Sequence, residues 1–151
     1  MAISEKDLLV ALSNDEPRYF EILPQLDEKA IATLSGLSKG NDVMMATKAI
    51  FLAGLSKTPS GADIVETAAK STVKLKRIAS ASALEHLTED KREKIALKLI
   101  DDADVSVQKL VIKATGNLKS AKLKEKFTKL SKESPSGFIR ELIAALPQPM
   151  P

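Results

Sequence analysis

The sequence predicts an all-α protein in which helix pairs repeat along the chain, and three observations predict it. A helical pattern recurs at separations of 32, 31 and 32 residues, at Met45, Arg77, Gln108 and Arg140. Apolar positions keep this period, at Leu55, Leu87 and Leu118 and at Phe51, Ala83 and Ala114. Aromatic residues make up only 3% of the chain, so the core must be aliphatic, which favours helices over sheets. A fixed period of this size is typical of stacked repeats, whose units bury their apolar faces against one another.

Helix start and stop signals divide the N-terminal half of the chain. Ser4 opens the first helix, with Asp7 three residues later as in a capping box. Proline is tolerated at the first helical position and glycine often follows the last one, so both residues serve as boundary signals. The later signals, in order, are Asp15 with Pro17, Asp27, Gly40 before Asn41-Asp42, and a turn at Pro59-Ser60-Gly61.

The C-terminal half contains the same kinds of helix start and stop signals. Thr72, Thr88 and Asp104 are predicted to open helices, and a further helix has Leu123, Phe127 and Leu130 on one face. The run 134–137 then breaks the chain before a last helix that ends at Leu146. Roughly ten helices are therefore expected, in about five pairs. Residues 1–146 are predicted to form one domain, and 147–151 a proline-rich C-terminal tail that cannot continue the helix.

One repeat resembles a known family. The run from Leu99 to Gln108 has an acidic start at Asp102 and Asp104 and a valine at Val107, and it continues to Val111, Ala114, Gly116 and Leu118. This pattern resembles a HEAT repeat, although Gln108 departs from the arginine that Arg77 and Arg140 supply in their own repeats. The resemblance implies a right-handed α-α superhelix, a solenoid of about five HEAT-like helix pairs. A tetratricopeptide array is less favoured because its signature includes Trp, which this chain lacks. Armadillo repeats are less favoured because they are longer than the period seen here.

The composition argues against catalytic chemistry. The chain has no cysteine and one histidine, His86, which is expected to lie near a helix end where the helix dipole favours an imidazole. The acidic run Asp101, Asp102 and Asp104 is interpreted as helix capping, because a calcium loop needs a glycine and a bidentate glutamate at set positions. The glycines form no phosphate-binding fingerprint. No catalytic, cofactor-binding or metal-binding residue is therefore predicted, and the protein is not expected to be an enzyme.

Charge is distributed unevenly along the chain. Residues 1–69 contain 6 Lys and Arg against 10 Asp and Glu, whereas residues 70–132 contain 16 against 8. Six lysines follow the predicted helices opposite their apolar stripes, and these candidate partner-binding residues are Lys91, Lys94, Lys98, Lys122, Lys129 and Lys132. We name them the lysine surface. In HEAT-like arrays the second helix of each pair lines the inner face, which is where the lysine surface is expected. The alternative to a partner-binding role is a lysine-rich helix face that is only solvated.

These features predict a non-enzymatic protein-binding or scaffold module that presents a curved helical surface to an acidic protein partner. The alternative is nucleic-acid binding through the same lysines, although the chain has only four arginines and few aromatic rings for stacking bases. No cofactor is predicted. The start of the chain lacks the features of a signal peptide, and no apolar run approaches the roughly 20 residues that span a bilayer. A cytoplasmic protein with no membrane partner is expected, while the identity of the partner and the oligomeric state stay open.

Overall fold

The computed structural model describes residues 2–147, and within this range the secondary structure is entirely helical. Two short segments, Leu23–Gln25 and Leu84–His86, are 3-10 helices. The ten α-helices are α1 (Glu5–Ser13), α2 (Tyr19–Ile22), α3 (Glu28–Ser38), α4 (Val43–Leu55), α5 (Pro59–Ala69), α6 (Lys74–Ala83), α7 (Glu89–Leu99), α8 (Val105–Thr115), α9 (Ala121–Glu133) and α10 (Gly137–Ala144). The all-α prediction is confirmed. Of the predicted tail, only Pro147 lies within the described residues.

Side-chain caps begin several helices where the sequence predicts them. The Asp7 amide donates to Ser4 Oγ at 3.1 Å, the Ala30 amide to Asp27 Oδ1 at 2.8 Å and the Met45 amide to Asp42 Oδ1 at 3.1 Å. Asp104 accepts bonds from the amides that open α8. An N-cap contact is short-range in sequence and satisfies an amide that the helix leaves unpaired, so it is readable without tertiary information.

Three predicted starts are wrong by a few residues. The expected turn at residues 59–61 is the first turn of α5, with Pro59 at its first position and Thr58 Oγ1 accepting from the Gly61 amide at 3.0 Å. Proline fits there because the first amides of a helix have no internal partner. Helix α2 begins at Tyr19 rather than at Asp15 and Pro17, and α6 begins at Lys74 after Val73, with no side-chain cap on either.

The helices pack in two rows. Helices α3, α5, α7 and α9 contact one another in order and form the first row, and α4, α6, α8 and α10 do the same and form the second row. Helices that are neighbours in sequence also pack across the rows from α3 to α8, and α9 packs against α10. Short connections make such neighbours antiparallel, so the helices within a row run in the same direction. Contacts between neighbours are more extensive in the second row than in the first.

Half of the six predicted core positions are buried. Leu55, Leu87 and Ala83 are buried, whereas Phe51, Ala114 and Leu118 are only partly buried. The Phe51 ring lies edge-on to the rings of Tyr19 and His86, with centroid separations of 5.1 and 5.7 Å. Ala114 and Leu118 belong to the last units of the described chain, where fewer neighbouring helices cover them. The repeat therefore identifies positions that face other helices, but it does not determine how completely each of them is buried.

The residue that recurs near the start of each second-row helix is polar in three of the four helices, and there it has a structural role. Arg77 Nη1 donates to the Ser71 carbonyl at 3.1 Å, Gln108 Nε2 donates to the Ile100 carbonyl at 3.0 Å, and Arg140 donates to the Ser134 carbonyl. Each side chain thus holds the end of the preceding segment against its own helix. This role explains why glutamine replaces arginine in one repeat, since both residues donate to a carbonyl oxygen.

Candidate functional site

The lysine surface lies on two adjacent helices, α7 and α9, which contact each other in the first row. Ile95 and Leu99 of α7 and Leu123 and Phe127 of α9 are buried, so the opposite sides of both helices face outward. Five of the six lysines are exposed and Lys91 is partly buried. The outward orientation predicted from the helical spacing is therefore confirmed for the five exposed lysines.

The α7 end of the lysine surface is neutralised by α5. Lys94 Nζ lies 3.3 Å from Glu66 Oε2, and Lys91 Nζ lies 3.6 Å from both Glu66 Oε1 and Asp63 Oδ1. Glu66 is the better-enclosed partner, with 20% of its side chain exposed against 70% for Asp63. The acidic N-terminal half and the basic C-terminal half of the chain thus meet at the contact between α5 and α7. Lys91 and Lys94 therefore form internal ion pairs.

The carboxylate of Glu66 is held in its charged form. Partial burial raises its pKa, but the hydrogen bond and positive charge of Lys94, and then the charges of Lys91 and Lys70, outweigh burial and lower the pKa below its ordinary value. A group whose pKa is lower in the folded than in the unfolded state stabilises the fold while it is ionised. Its contribution is present at neutral pH and is lost as the pH falls through the lowered pKa.

We expect Glu66→Gln to lower the melting temperature at neutral pH, because the substitution removes the charge that Lys91 and Lys94 pair with. The difference from the wild type should shrink in acid, where Glu66 of the wild type is itself protonated. Thermal denaturation followed by circular dichroism across a pH series measures both quantities. Asp63→Asn is the matched control and should change less, since Asp63 is largely exposed and makes only one of the three ion contacts. A pH-independent difference for Glu66→Gln would contradict this account.

The remaining four lysines of the lysine surface are exposed. Across the described range 2–147, the exposed side chains of Lys98, Lys122, Lys129 and Lys132 form no ion pair within 4 Å. Lys126 was not singled out in the sequence, and it lies on the same helix with its Nζ 2.9 Å from Asp101 Oδ2. Its pairing with a residue 25 positions earlier depends on how α9 packs beside α7, which the spacing of lysines along one helix does not reveal.

The carboxylates of Asp102 and Asp104, in the acidic run between α7 and α8, make structural contacts. Asp102 Oδ2 accepts from Arg77 Nε at 2.7 Å, and Asp104 Oδ1 caps α8 through the amides of Ser106 and Val107. Partial burial raises the pKa of Asp104, but these amide bonds and the charge of Lys74 outweigh it, so that the pKa is lowered. The capping interpretation is confirmed for Asp104. Among residues 2–147 no group of three or more His, Asp or Glu side chains is placed to hold a metal ion.

His86 lies in the 3-10 segment at the end of α6, as the sequence predicts for a helix-end imidazole. Its Nε2 lies 3.6 Å from Glu85 Oε1, and its ring packs edge-on against Phe51. These contacts place the side chain in a packing role between the ends of two second-row helices.

No protein-family model matches this chain, and no curated protein matches it. No helix within residues 2–147 is long and apolar enough to cross a membrane.

Proposed function

We propose that this protein is a non-enzymatic binding module, built as a solenoid of HEAT-like helix pairs, that presents the lysine surface to an acidic protein partner. The observation that carries the proposal is the group of exposed lysines without ion pairs on two adjacent helices, within a chain that neutralises Lys91 and Lys94 internally. Electrostatic attraction would raise the rate of encounter, and the rigid helix array would fix the spacing of the charges.

The packing of the helices supports a solenoid. Alternate helices contact each other along both rows, as expected when each repeat packs only against its neighbours. The lysine surface belongs to the first row, and its position on the inner side of the stack stays a prediction.

A second candidate function is nucleic-acid binding by the same lysines. The observation that favours it is the exposure of these lysines. Ammonium groups neutralise phosphates as readily as they neutralise carboxylates. Against it stand the scarcity of arginine and of aromatic rings on this surface, since base stacking and bidentate phosphate contacts need those residues.

A charge-reversal set tests the proposed function. We expect Lys98→Glu combined with Lys122→Glu and Lys129→Glu to weaken binding to polyglutamate and to acidic partners, mainly by slowing association. The loss should shrink at high salt, because exposed charges are screened. Surface plasmon resonance at low and high salt gives the association rates, and parallel titration with duplex and single-stranded DNA tests the alternative. The fold should survive, since exposed substitutions usually change stability by only about 0.5 kcal/mol.

The matched control reverses three exposed lysines in the acidic half, Lys29, Lys39 and Lys57. Equal weakening by the two sets would mean that only net charge matters, and the lysine surface would then be a solvated face. Preferential binding of DNA by the wild type, lost in the first set, would support the nucleic-acid alternative instead.

A further inference from the structure

Exposed apolar side chains recur at the start of the second-row helices. Within residues 2–147 six large apolar side chains are exposed, and four of them occupy the first or second position of a second-row helix. Their exposed fractions lie between 41% and 63%. We name these four residues the apolar row, and they are Met44, Leu75, Val105 and Phe138. Scattered exposed apolar residues are ordinary, but one that returns in every unit at the same place indicates an interaction surface.

The starts of the second-row helices lie along one edge of the stack. Lys76 Nζ in the first turn of α6 donates at 2.9 Å to the Gly40 carbonyl, in the loop before α4. Lys74 Nζ, at the first position of α6, lies 3.6 Å from Oδ2 of Asp104, the N-cap of α8. Helices that pack side by side have axes about 8–10 Å apart. Successive members of the apolar row are therefore neighbours along this edge.

The last interval of the edge is closed by a contact between α8 and α10. Lys109 Nζ lies 5.9 Å from the centre of the Phe138 ring, within the range of a cation–π interaction. The lysines of this edge are thus engaged inside the chain, Lys74 with a carboxylate, Lys76 with a carbonyl and Lys109 with a ring. What the edge leaves without a partner is mainly apolar surface, so the contact that would cover it is apolar as well.

The two loops at the middle of this edge have opposite charges. Lys70 caps the end of α5 and Lys74 begins α6, and both are exposed. In the loop between α7 and α8, Asp101 is exposed although it pairs with Lys126, and Asp104 is partly buried. Lys70 forms no ion pair within 4 Å in the described range 2–147. A basic loop therefore precedes α6, and an acidic loop precedes α8.

We propose that the apolar row is the contact surface of a homodimer, in which a second copy of this chain packs antiparallel against the first. The twofold axis passes between α6 and α8. It places Leu75 opposite Val105 of the partner subunit, and Met44 opposite Phe138 of the partner subunit. This contact is independent of the lysine surface, which belongs to α7 and α9 of the first row.

Charge complementarity selects the antiparallel arrangement and a second copy as the occupant. About the twofold axis, the basic loop before α6 of each copy meets the acidic loop before α8 of the other, so both loops gain an oppositely charged neighbour. A parallel arrangement would place each loop against its own copy and bring like charges together. The apolar row is also matched to itself, since every apolar side chain meets another, and a surface of this kind forms closed twofold dimers.

Sedimentation velocity of the full chain over a micromolar concentration series tests the dimer. The wild type should show a monomer–dimer equilibrium, and Met44→Asp with Leu75→Asp should raise the dissociation constant by about tenfold or more, because carboxylates would be buried against apolar groups. The fold should survive, since both positions are exposed and acidic side chains are favourable in the first turn of a helix. Phe20→Asp is the matched control, because Phe20 is 77% exposed but lies in α2, and it should leave the equilibrium unchanged.

Single-cysteine variants test the orientation, since the chain has no cysteine of its own. Under mild oxidation, a mixture of Met44→Cys and Phe138→Cys should form a disulfide-linked dimer on non-reducing electrophoresis, whereas either variant alone should form little. Both positions lie at the ends of the apolar row, far from the twofold axis, so only antiparallel pairing brings them together. This measurement keeps the proposal testable even if the aspartate variants disturb the fold.

Three results would overturn the homodimer. The first is a wild type that sediments as a monomer at every concentration. The second is equal weakening by Phe20→Asp, which would mean non-specific association of apolar side chains. The third is self-linking of Met44→Cys as abundant as the mixed disulfide, which would mean parallel pairing. If the monomeric wild type instead binds a fluorescein-labelled, leucine-rich amphipathic peptide in an anisotropy titration, and Leu75→Asp abolishes this binding, the apolar row accepts a different chain.

Discussion

Replacing Leu99 with alanine is expected to lower the free energy of unfolding by about 2–5 kcal/mol. Leu99 is 1% exposed and ends α7, which packs against α5, α8 and α9. Truncation removes buried methyl groups and leaves a cavity among helices of both rows that cannot collapse without moving the stack. Urea denaturation followed by circular dichroism gives the free energy.

Leu118→Ala is the matched comparison, because Leu118 recurs in the repeat but is only partly buried. Its side chain has less contact area to lose, so the loss of stability should be clearly smaller than for Leu99→Ala. Equal losses for the two variants would mean that repeat position, rather than burial in this structure, determines the energetic cost.

Gly61→Ala is expected to destabilise the protein by about 1–3 kcal/mol, although alanine is the better helix former. Gly61 lies in the first turn of α5 and is buried. A Cβ atom at this position would collide with the Ala53 carbonyl oxygen of α4 and with Ser56 Oγ. The carbonyl belongs to a packed helix end and cannot rotate away, so α4 and α5 must separate. Chemical denaturation measures the change.

Gly36→Ala provides a control of opposite sign. Gly36 is exposed within α3, and a Cβ there meets nothing within 4 Å. Only helix propensity acts at this position, so the substitution should stabilise the protein by up to about 1 kcal/mol. A gain in stability for Gly61→Ala would contradict the packing of α4 against α5, and a loss for Gly36→Ala would contradict the open surroundings of Gly36.

Local chemistry explains which parts of the fold were predictable. Caps such as Ser4, Asp27 and Asp42 act on amides three residues away, so their signals survive in the sequence alone. Buried positions repeat with the period because each repeat packs in the same way. The start of α5 was misplaced because proline and glycine are also turn residues, and the contact that explains Gly61 comes from a different helix.

The candidate site was predictable only in part. Helical spacing correctly orients the lysines outward, since an apolar stripe determines the opposite face. It does not show that Glu66 engages Lys91 and Lys94 or that Asp101 engages Lys126, because those pairs depend on the register between helices.

Long-range hydrogen bonds from two second-row lysines connect their helices to earlier parts of the chain. Lys48 Nζ donates to the Asn14 carbonyl at 2.7 Å, and the buried Lys76 donates to the Gly40 carbonyl at 2.9 Å, so α4 and α6 are each tied to a loop one unit earlier. Arg140 of α10 instead bonds a carbonyl only six residues before it. Local opening of α4 or α6 therefore breaks a long-range bond that Arg140 does not supply to α10, so the amide hydrogens of α4 and α6 should exchange with solvent more slowly than those of α10.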